Sequence, residues 1–467
     1  MERLNKIEME KTDNLIQTQS GHYFVYLEQT KSSHLLPPSC LPYWNGNKEP
    51  DNSVASQKVK FFMRTLLICI LLVFKLSSCI SPDIKPLEND WDVVAHWSLI
   101  EGDSVMVADV NKAEVETTLP LEMIANDYQV IKLDKEAEEY HELSDAFITE
   151  GYIGISCYSN EPFRLFKKDG TFLRQIGALG EEENGHYETV SNAQIDEANN
   201  RIYIMPANHK KTPTTKSPVL LAYDLAGNFL HEIPLASRVG FGSSFKVDAQ
   251  KGEIIVIGQE VRPERKEYRT WMQDIEGNLK YGIYDEDKKN DDGYGIMTMS
   301  FYHTDAVETF AVVSPSMYSD REETEFLYHL NQEERRLVPK FQAVTKEKSS
   351  FIYELPSYYI VESTMHAGDA DAKTPQCIID KKTLKGARFN GFVTPEGLLL
   401  DQYTLLSKTR NGYFSLVEKE SRILKRIQKT DKSKLTKEQR KKLEQLYEKL
   451  NSDKNDDTIL FMAKFKK

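Results

Sequence analysis

The sequence is short of the residue patterns that local covalent or metal chemistry requires. Only five of the 467 residues are cysteine. Beyond Cys79 just Cys157 and Cys377 remain, too few for a disulfide framework. Both sit in apolar, strand-like stretches, where buried free thiols are expected, with a single bond between them as the alternative. Eight histidines follow Cys79 (His96, His141, His186, His209, His231, His303, His329 and His366), and none pairs at i,i+4 or as H-x-H, so a local metal motif is excluded. There is no G-x-S-x-G elbow, no phosphate-cradling P-loop and no zinc-protease helix. The acidic run at 285–293 does not make a calcium loop. With Gly293 as its invariant glycine, Lys288 takes the first ligand position and Met299 the bidentate acid position. Positive charge is also in deficit. Of 60 basic and 72 acidic residues, nine and seven precede Cys79, leaving 51 and 65 beyond it. Such a surface repels phosphate backbones, so nucleic acid is not an expected partner. No apolar run reaches the roughly 20 residues that a membrane-spanning helix needs.

One shorter apolar run is informative. Residues 63–79 read MRTLLICILLVFKLSSC: a basic start at Arg64, an unbroken apolar stretch from Leu66 to Phe74, then small residues before a cysteine. This is the layout of a bacterial lipoprotein signal peptide. Ser77 and Ser78 suit the peptidase, and the Cys79 thiol supplies the lipid attachment site; the two or three acyl chains carried there anchor durably. The expectation is a protein of the cell envelope, tethered through Cys79 to the outer membrane on its periplasmic or surface face. Residues 1–62 then stand ahead of a signal that must be N-terminal, as an over-extended gene model or a disordered leader. Residues 80–92, with Pro82 and Pro86, read as a tether, and 93–467 as the folded domain.

That domain repeats. A turn residue followed at once by a short apolar strand recurs at Gly151 (YIGIS), Asn200 (RIYIM), Gly252 (EIIVI), Glu308 (TFAVV), Ser357 (YYIVE) and Gly412 (YFSLV), at intervals of 49, 52, 56, 49 and 55 residues. A strand–turn–strand follows each of the first five, as in FKKDGTFLRQI from Phe166 and YDLAGNFLHEI from Tyr223. Asp169-Gly170 and Ala226-Gly227 are hairpin signals, because glycine supplies the positive φ of tight turns. Units of about 50 residues with four strands each predict propeller blades. The expected fold is therefore all-β: a six-bladed β-propeller of four-stranded blades. A pair of β-sandwiches with coincidental spacing is the competing reading. In the last unit, Thr436 and Gln439 form a capping box, and Leu443, Leu446, Tyr447 and Leu450 make one apolar helical face. One C-terminal helix is thus expected just before a closing strand at 458–465. Its expected partner is the segment Val93 to Leu99.

The run from Phe166 through Gly177-Ala178-Leu179-Gly180 and Asn184-Gly185-His186-Tyr187 to Ile204 resembles the six-bladed β-propeller lipoproteins of Bacteroidota, related in shape to NHL-repeat and TolB-like propellers. The Pro-Gly-Glu part of that family's glycine-rich turn is missing here. The resemblance implies the fold over most of 90–467 and assigns no activity. No catalytic, cofactor-binding or metal-binding residue is assigned; His186 and His303 are the histidines placed nearest a central channel. The functional expectation is a binding or scaffolding module for a peptide, glycan or envelope protein. The alternative is a hydrolase or lyase with its site at the channel mouth.

Overall fold

The computed structural model describes residues 90–467 except 136–143, 158–160, 181–184, 208–217, 240–242, 258–267, 269, 284–296, 302–309, 315–324, 346–349, 364–375, 402–408, 411, 452–455 and 467. Six four-stranded antiparallel units follow one another as the blades of a propeller. Blade 1 is Ser144–Ile148, Tyr152–Cys157, Phe163–Lys167 and Phe172–Ile176; blade 2 is Thr189–Asp196, Arg201–Ala207, Val219–Tyr223 and Phe229–Pro234. Blade 3 is Ser244–Asp248, Glu253–Ile257, Thr270–Asp274 and Leu279–Ile283; blade 4 is Met297–Phe301, Phe310–Ser314, Glu325–Asn331 and Arg336–Val344. Blade 5 is Ser350–Glu354, Tyr358–Ser363, Gln376–Asp380 and Lys385–Val393. Blade 6 takes Thr409–Arg410, Tyr413–Lys419 and Thr458–Phe465 from the C-terminal region and its outermost strand, Ala125–Lys132, from before blade 1.

All six sequence anchors lead into the second strand of a blade. At Asn200, Gly252 and Gly412 the turn residue has φ of 54°, 64° and 77°, the left-handed region that glycine and asparagine reach at least cost. The turns between third and fourth strands share a second design. Asp224 accepts from both the backbone and side-chain nitrogens of Asn228 at 2.8 and 2.9 Å. Asp274 does the same for Asn278 at 2.7 and 2.9 Å. The second strands are not amphipathic: Ile153 to Cys157 and Ile254 to Ile257 are buried throughout. Blades pack face to face, so a central strand meets an apolar neighbour on both sides. Ile148, Ile153 and Phe166 of blade 1 pack with Val417, Leu460 and Met462 of blade 6. Phe147, Phe163 and Leu165 pack with Val190, Ile202 and Leu221 of blade 2.

Polar side chains pin adjacent blades in register. Gln194 of blade 2 donates to the Val247 carbonyl at 2.9 Å and accepts from the Val247 amide at 2.8 Å in blade 3. Buried Glu354 of blade 5 holds His329 of blade 4 at 2.7 Å and Lys381 of its own blade at 2.6 Å. Glu150 of blade 1 pairs with Lys464 of blade 6 at 2.7 Å, while Lys168 lies 4.2 Å over the ring of Tyr413. Burial pulls the Lys168 ammonium down to about 8.

The ring closes differently from the sequence expectation. Thr458–Phe465 pairs antiparallel with Ala125–Lys132, not with Val93 to Leu99. A closing strand must lead directly into the first strand of blade 1, and only the strand just before 133–143 does so. The preceding residues form an outer belt instead. Ala95–Ile100 and Asp103–Asp109 make a hairpin whose second strand adds in parallel to blade 4. Asp92–Val93 and Glu116–Pro120 add to the outer strand of blade 5. Asp103 takes a two-pronged grip from Arg336 at 2.6 and 3.0 Å, fixing the hairpin to blade 4. The belt covers sheet edges that would otherwise be open to pairing.

The expected helix before the last strand is α2 (Lys437–Leu450), and a second, α1 (Glu420–Lys429), stands ahead of it. The expected capping box is present in α2, with Gln439 N donating to Thr436 Oγ1 at 3.1 Å and Thr436 N to Gln439 Oε1 at 3.0 Å. Leu443, Leu446 and Leu450 are its buried face. The basic stretch before it hides α1, which buries only Ile423, Ile427 and Glu420.

Candidate functional site

The two ends of the blades are unlike. At one end the chain turns within a few residues, at 149–151, 197–200, 249–252, 355–357 and 411–412 and between the third and fourth strands of blades 1 to 5; the blade 4 connection at 302–309 is longer. At the other end lie the long connections: 133–143, 177–188, 235–243 and 284–296 between blades, and 208–218, 258–269, 315–324 and 364–375 within them. The helices, spanning 420–457, leave from that end too. A rigid scaffold with tight turns on one face and long connections on the other concentrates variable surface on the second.

Most of the buried polarity among the described residues lies at the same end, although Gln273, Glu354 and Asp380 are buried toward the turns. At the long-connection end are Asp145 and Ser156 of blade 1, Thr189, Ser191 and Asn192 of blade 2, Ser243, Ser244 and Thr270 of blade 3, and Gln376 of blade 5, all at most 6% exposed. Asp145 and Ser156 face each other across the sheet, and Ser244 and Thr270 flank Ile257 in one cross-strand row. The hydroxyls of Thr189, Ser191, Ser244 and Thr270 have no hydrogen-bond partner in the protein. A buried hydroxyl without a partner costs about 1–3 kcal/mol, so such groups are where water or a polar ligand is taken up.

Among the described residues, blade 5 contributes an ionisable group at this end whose titration is moved into the neutral range. Glu362 stands opposite Gln376 in the strand register and accepts from the Tyr353 hydroxyl at 3.3 Å. Loss of hydration raises its carboxyl to about 7, against the pull of the Tyr353 and Gln376 hydrogen bonds. Nothing in the sequence marks Glu362 beyond its place as the acidic end of YYIVE. By contrast His329, Glu354 and Lys381, a close-set ionisable cluster, lie toward the turn end and satisfy one another. Among the described residues no group of three or more His, Cys, Asp or Glu side chains is disposed to hold a metal ion.

The connection from blade 1 to blade 2 holds the glycine-rich turn. Ala178–Leu179 pairs in parallel with His186–Tyr187, which leaves His186 half-buried in the connection. Tyr187 is 2% exposed; its hydroxyl donates to the Ile176 carbonyl at 2.5 Å and accepts from Phe163 N at 2.8 Å. The Tyr223 hydroxyl donates to the Gly185 carbonyl. Gly177, at φ 69°, has no room for a side chain: a Cβ there would stand 2.7 Å from both the Tyr187 ring and the Tyr223 hydroxyl. Cys157 and Cys377 are free and buried, and burial pushes the Cys377 thiol up to about 12, far from reactivity at neutral pH. Cys79, His303 and the acidic run at 285–293 lie outside the described residues.

Residues 104–365, 262 of the 467, match the model of family DUF5128, described as a 6-bladed beta-propeller. The chain belongs to this family. Membership agrees with the six four-stranded units seen in the sheet pairing. No functionally curated protein matches the chain. Among solved structures it is similar to a protein of Bacteroides fragilis NCTC 9343 thought to be exported, at 15% identity and a TM-score of 0.49, over 76% of this chain and 99% of that one. It is also similar to a Bacteroides caccae protein of unknown function (13% identity, TM-score 0.33, covering 63% and 92%). A third is a DUF4221 family member from Bacteroides vulgatus ATCC 8482 (9%, 0.37, covering 73% and 97%). At these identities and scores the likenesses carry no functional argument. Among the described residues no helix is long and apolar enough to cross a membrane.

Proposed function

We propose that this DUF5128 propeller is a binding or scaffolding module of the cell envelope, held to the outer membrane through a lipidated Cys79. Its ligand, a peptide, glycan or envelope protein, would be met by the face that carries the long connections. The observation that supports this most is the coincidence, at that end alone, of long connections with buried hydroxyls on blades 2 and 3 that have no protein partner. Such groups reward a polar ligand that reaches them. The anchor rests on the sequence of residues 63–79. Glu362 is what favours the second reading, a hydrolase or lyase at the channel mouth, since a carboxyl near 7 suits proton transfer.

The test uses photo-crosslinking amino acids in intact cells. Probes at Thr214 and Glu260, in two long connections, are expected to capture envelope material. Probes at Asn199 and Lys251, in tight turns, are expected to stay uncoupled. Coupling from the turn positions alone would overturn the assignment of the face.

A further inference from the structure

The outer belt carries an apolar surface that nothing in the binding proposal uses. Ala95–Ile100 is the outermost strand of the six-stranded sheet built on blade 4, with one backbone edge unpaired by any strand of that sheet. Proteins commonly blunt such an edge with charge or proline. Here Trp97 and Leu99 point to the same face two residues apart and are 55% and 76% exposed, and Val93, just before the strand, is 66% exposed. They are the three most exposed of the large apolar side chains among the described residues.

We infer that this edge strand seats on the phospholipid surface to which the chain is tethered, so that the propeller is oriented by a protein contact as well as by its acyl chains. The inference rests on the lipid-anchor reading of Cys79. Its position in the chain selects the occupant. Thirteen residues, 80–92, separate Cys79 from Val93, and at about 3.3–3.6 Å per extended residue the tether reaches at most roughly 50 Å. Val93, Trp97 and Leu99 therefore stand at the very start of the folded chain, within reach of the bilayer that holds the anchor. The side chains suit that boundary. Indole has an apolar body and one polar N–H, the character that places tryptophan at the headgroup level, with leucine and valine reaching below it.

Three tryptophans lie beyond Cys79, and only Trp97 is exposed, since Trp91 and Trp271 are 3% and 0% accessible. Intrinsic fluorescence therefore isolates the contact. The processed chain, purified from membranes, is reconstituted into phosphatidylcholine–phosphatidylethanolamine vesicles with and without bromine on the acyl chains. The expected result is loss of the Trp97 share of the emission in brominated vesicles, absent in Trp97→Phe. Unquenched emission from chain that floats with the vesicles overturns the contact and leaves the anchor standing. Flotation of Cys79→Ser equal to that of the unaltered chain overturns the anchor reading instead. Concentration-dependent shielding of Trp97 from iodide in lipid-free Cys79→Ser chain, matched by a dimer in sedimentation, assigns the strand to a second copy and overturns the membrane contact.

Discussion

Removing one oxygen atom, in Tyr187→Phe, tests how blades 1 and 2 are joined. The Tyr187 hydroxyl sits between the ends of two strands of blade 1, taking the Phe163 amide at 2.8 Å and giving its proton to the Ile176 carbonyl at 2.5 Å. Phe163 and Ile176 are fully buried. Phenylalanine would leave both backbone groups without a partner, in a gap the size of one oxygen that is too small for water. Each buried unsatisfied group costs about 1–3 kcal/mol, so the expected loss is about 3 kcal/mol in equilibrium urea unfolding followed by circular dichroism. Tyr447→Phe, at a half-buried position on α2, is the control and should move stability by under about 0.5 kcal/mol. Tyr187→Phe has a second signature at alkaline pH. Burial raises the Tyr187 and Tyr223 hydroxyls above their ordinary value. Above pH 10 the unfolded chain releases these protons while the folded chain keeps them, so stability falls as pH rises. Tyr187→Phe should lose part of that slope. A loss below about 0.5 kcal/mol at pH 7 in Tyr187→Phe would refute the bridging role.

Two further outcomes follow from buried charge. Arg426 of α1 grips the fully buried Glu418 carboxylate with two contacts of 2.7 Å; Arg426→Met strands that charge and should cost about 3–5 kcal/mol in the urea midpoint, with much of it recovered by adding Glu418→Gln. Glu362 has a folded-state value raised to about 7, so the folded chain keeps a proton there that the unfolded chain releases; this contribution is present in full below about pH 4 and fades as pH rises to 7. Glu362→Gln should therefore leave stability unchanged at pH 4 and raise it by about 2 kcal/mol at pH 8, and equal effects at both pH values would show that Glu362 does not titrate as argued.

Much of this architecture could be read along the chain because its signals are local. In blades 2, 3 and 6 a residue in the left-handed region marks where the second strand begins, so Asn200, Gly252 and Gly412 report blades without knowledge of their neighbours. The capping box of Thr436 and Gln439 is likewise complete within four residues. The site was legible only in outline. Thr189, Ser191, Ser244 and Thr270 are ordinary strand residues until the packing of adjacent blades buries them, and Glu362 looks like a solvated acid until loss of hydration in its half-buried setting raises it. Burial is a property of the neighbours, which the local sequence does not contain.

Ring closure shows the limit most sharply. VVAHWSL is the more apolar candidate, and hydrophobicity alone selects it. The polar, half-exposed Ala125–Lys132 closes the blade, pairing with residues more than 300 positions away. The outermost strand of a blade has solvent on one side, so apolar content does not choose it; chain direction and the geometry of the ring do. By itself, then, the sequence determined six repeating β units, the acidic balance and the apolar run ending at Cys79. Which strand shuts the ring, where the belt leaves Trp97 and Leu99 exposed, and which end of the blades gathers the unpartnered hydroxyls were decided only when segments far apart in the chain came to share one solvent-excluded surface.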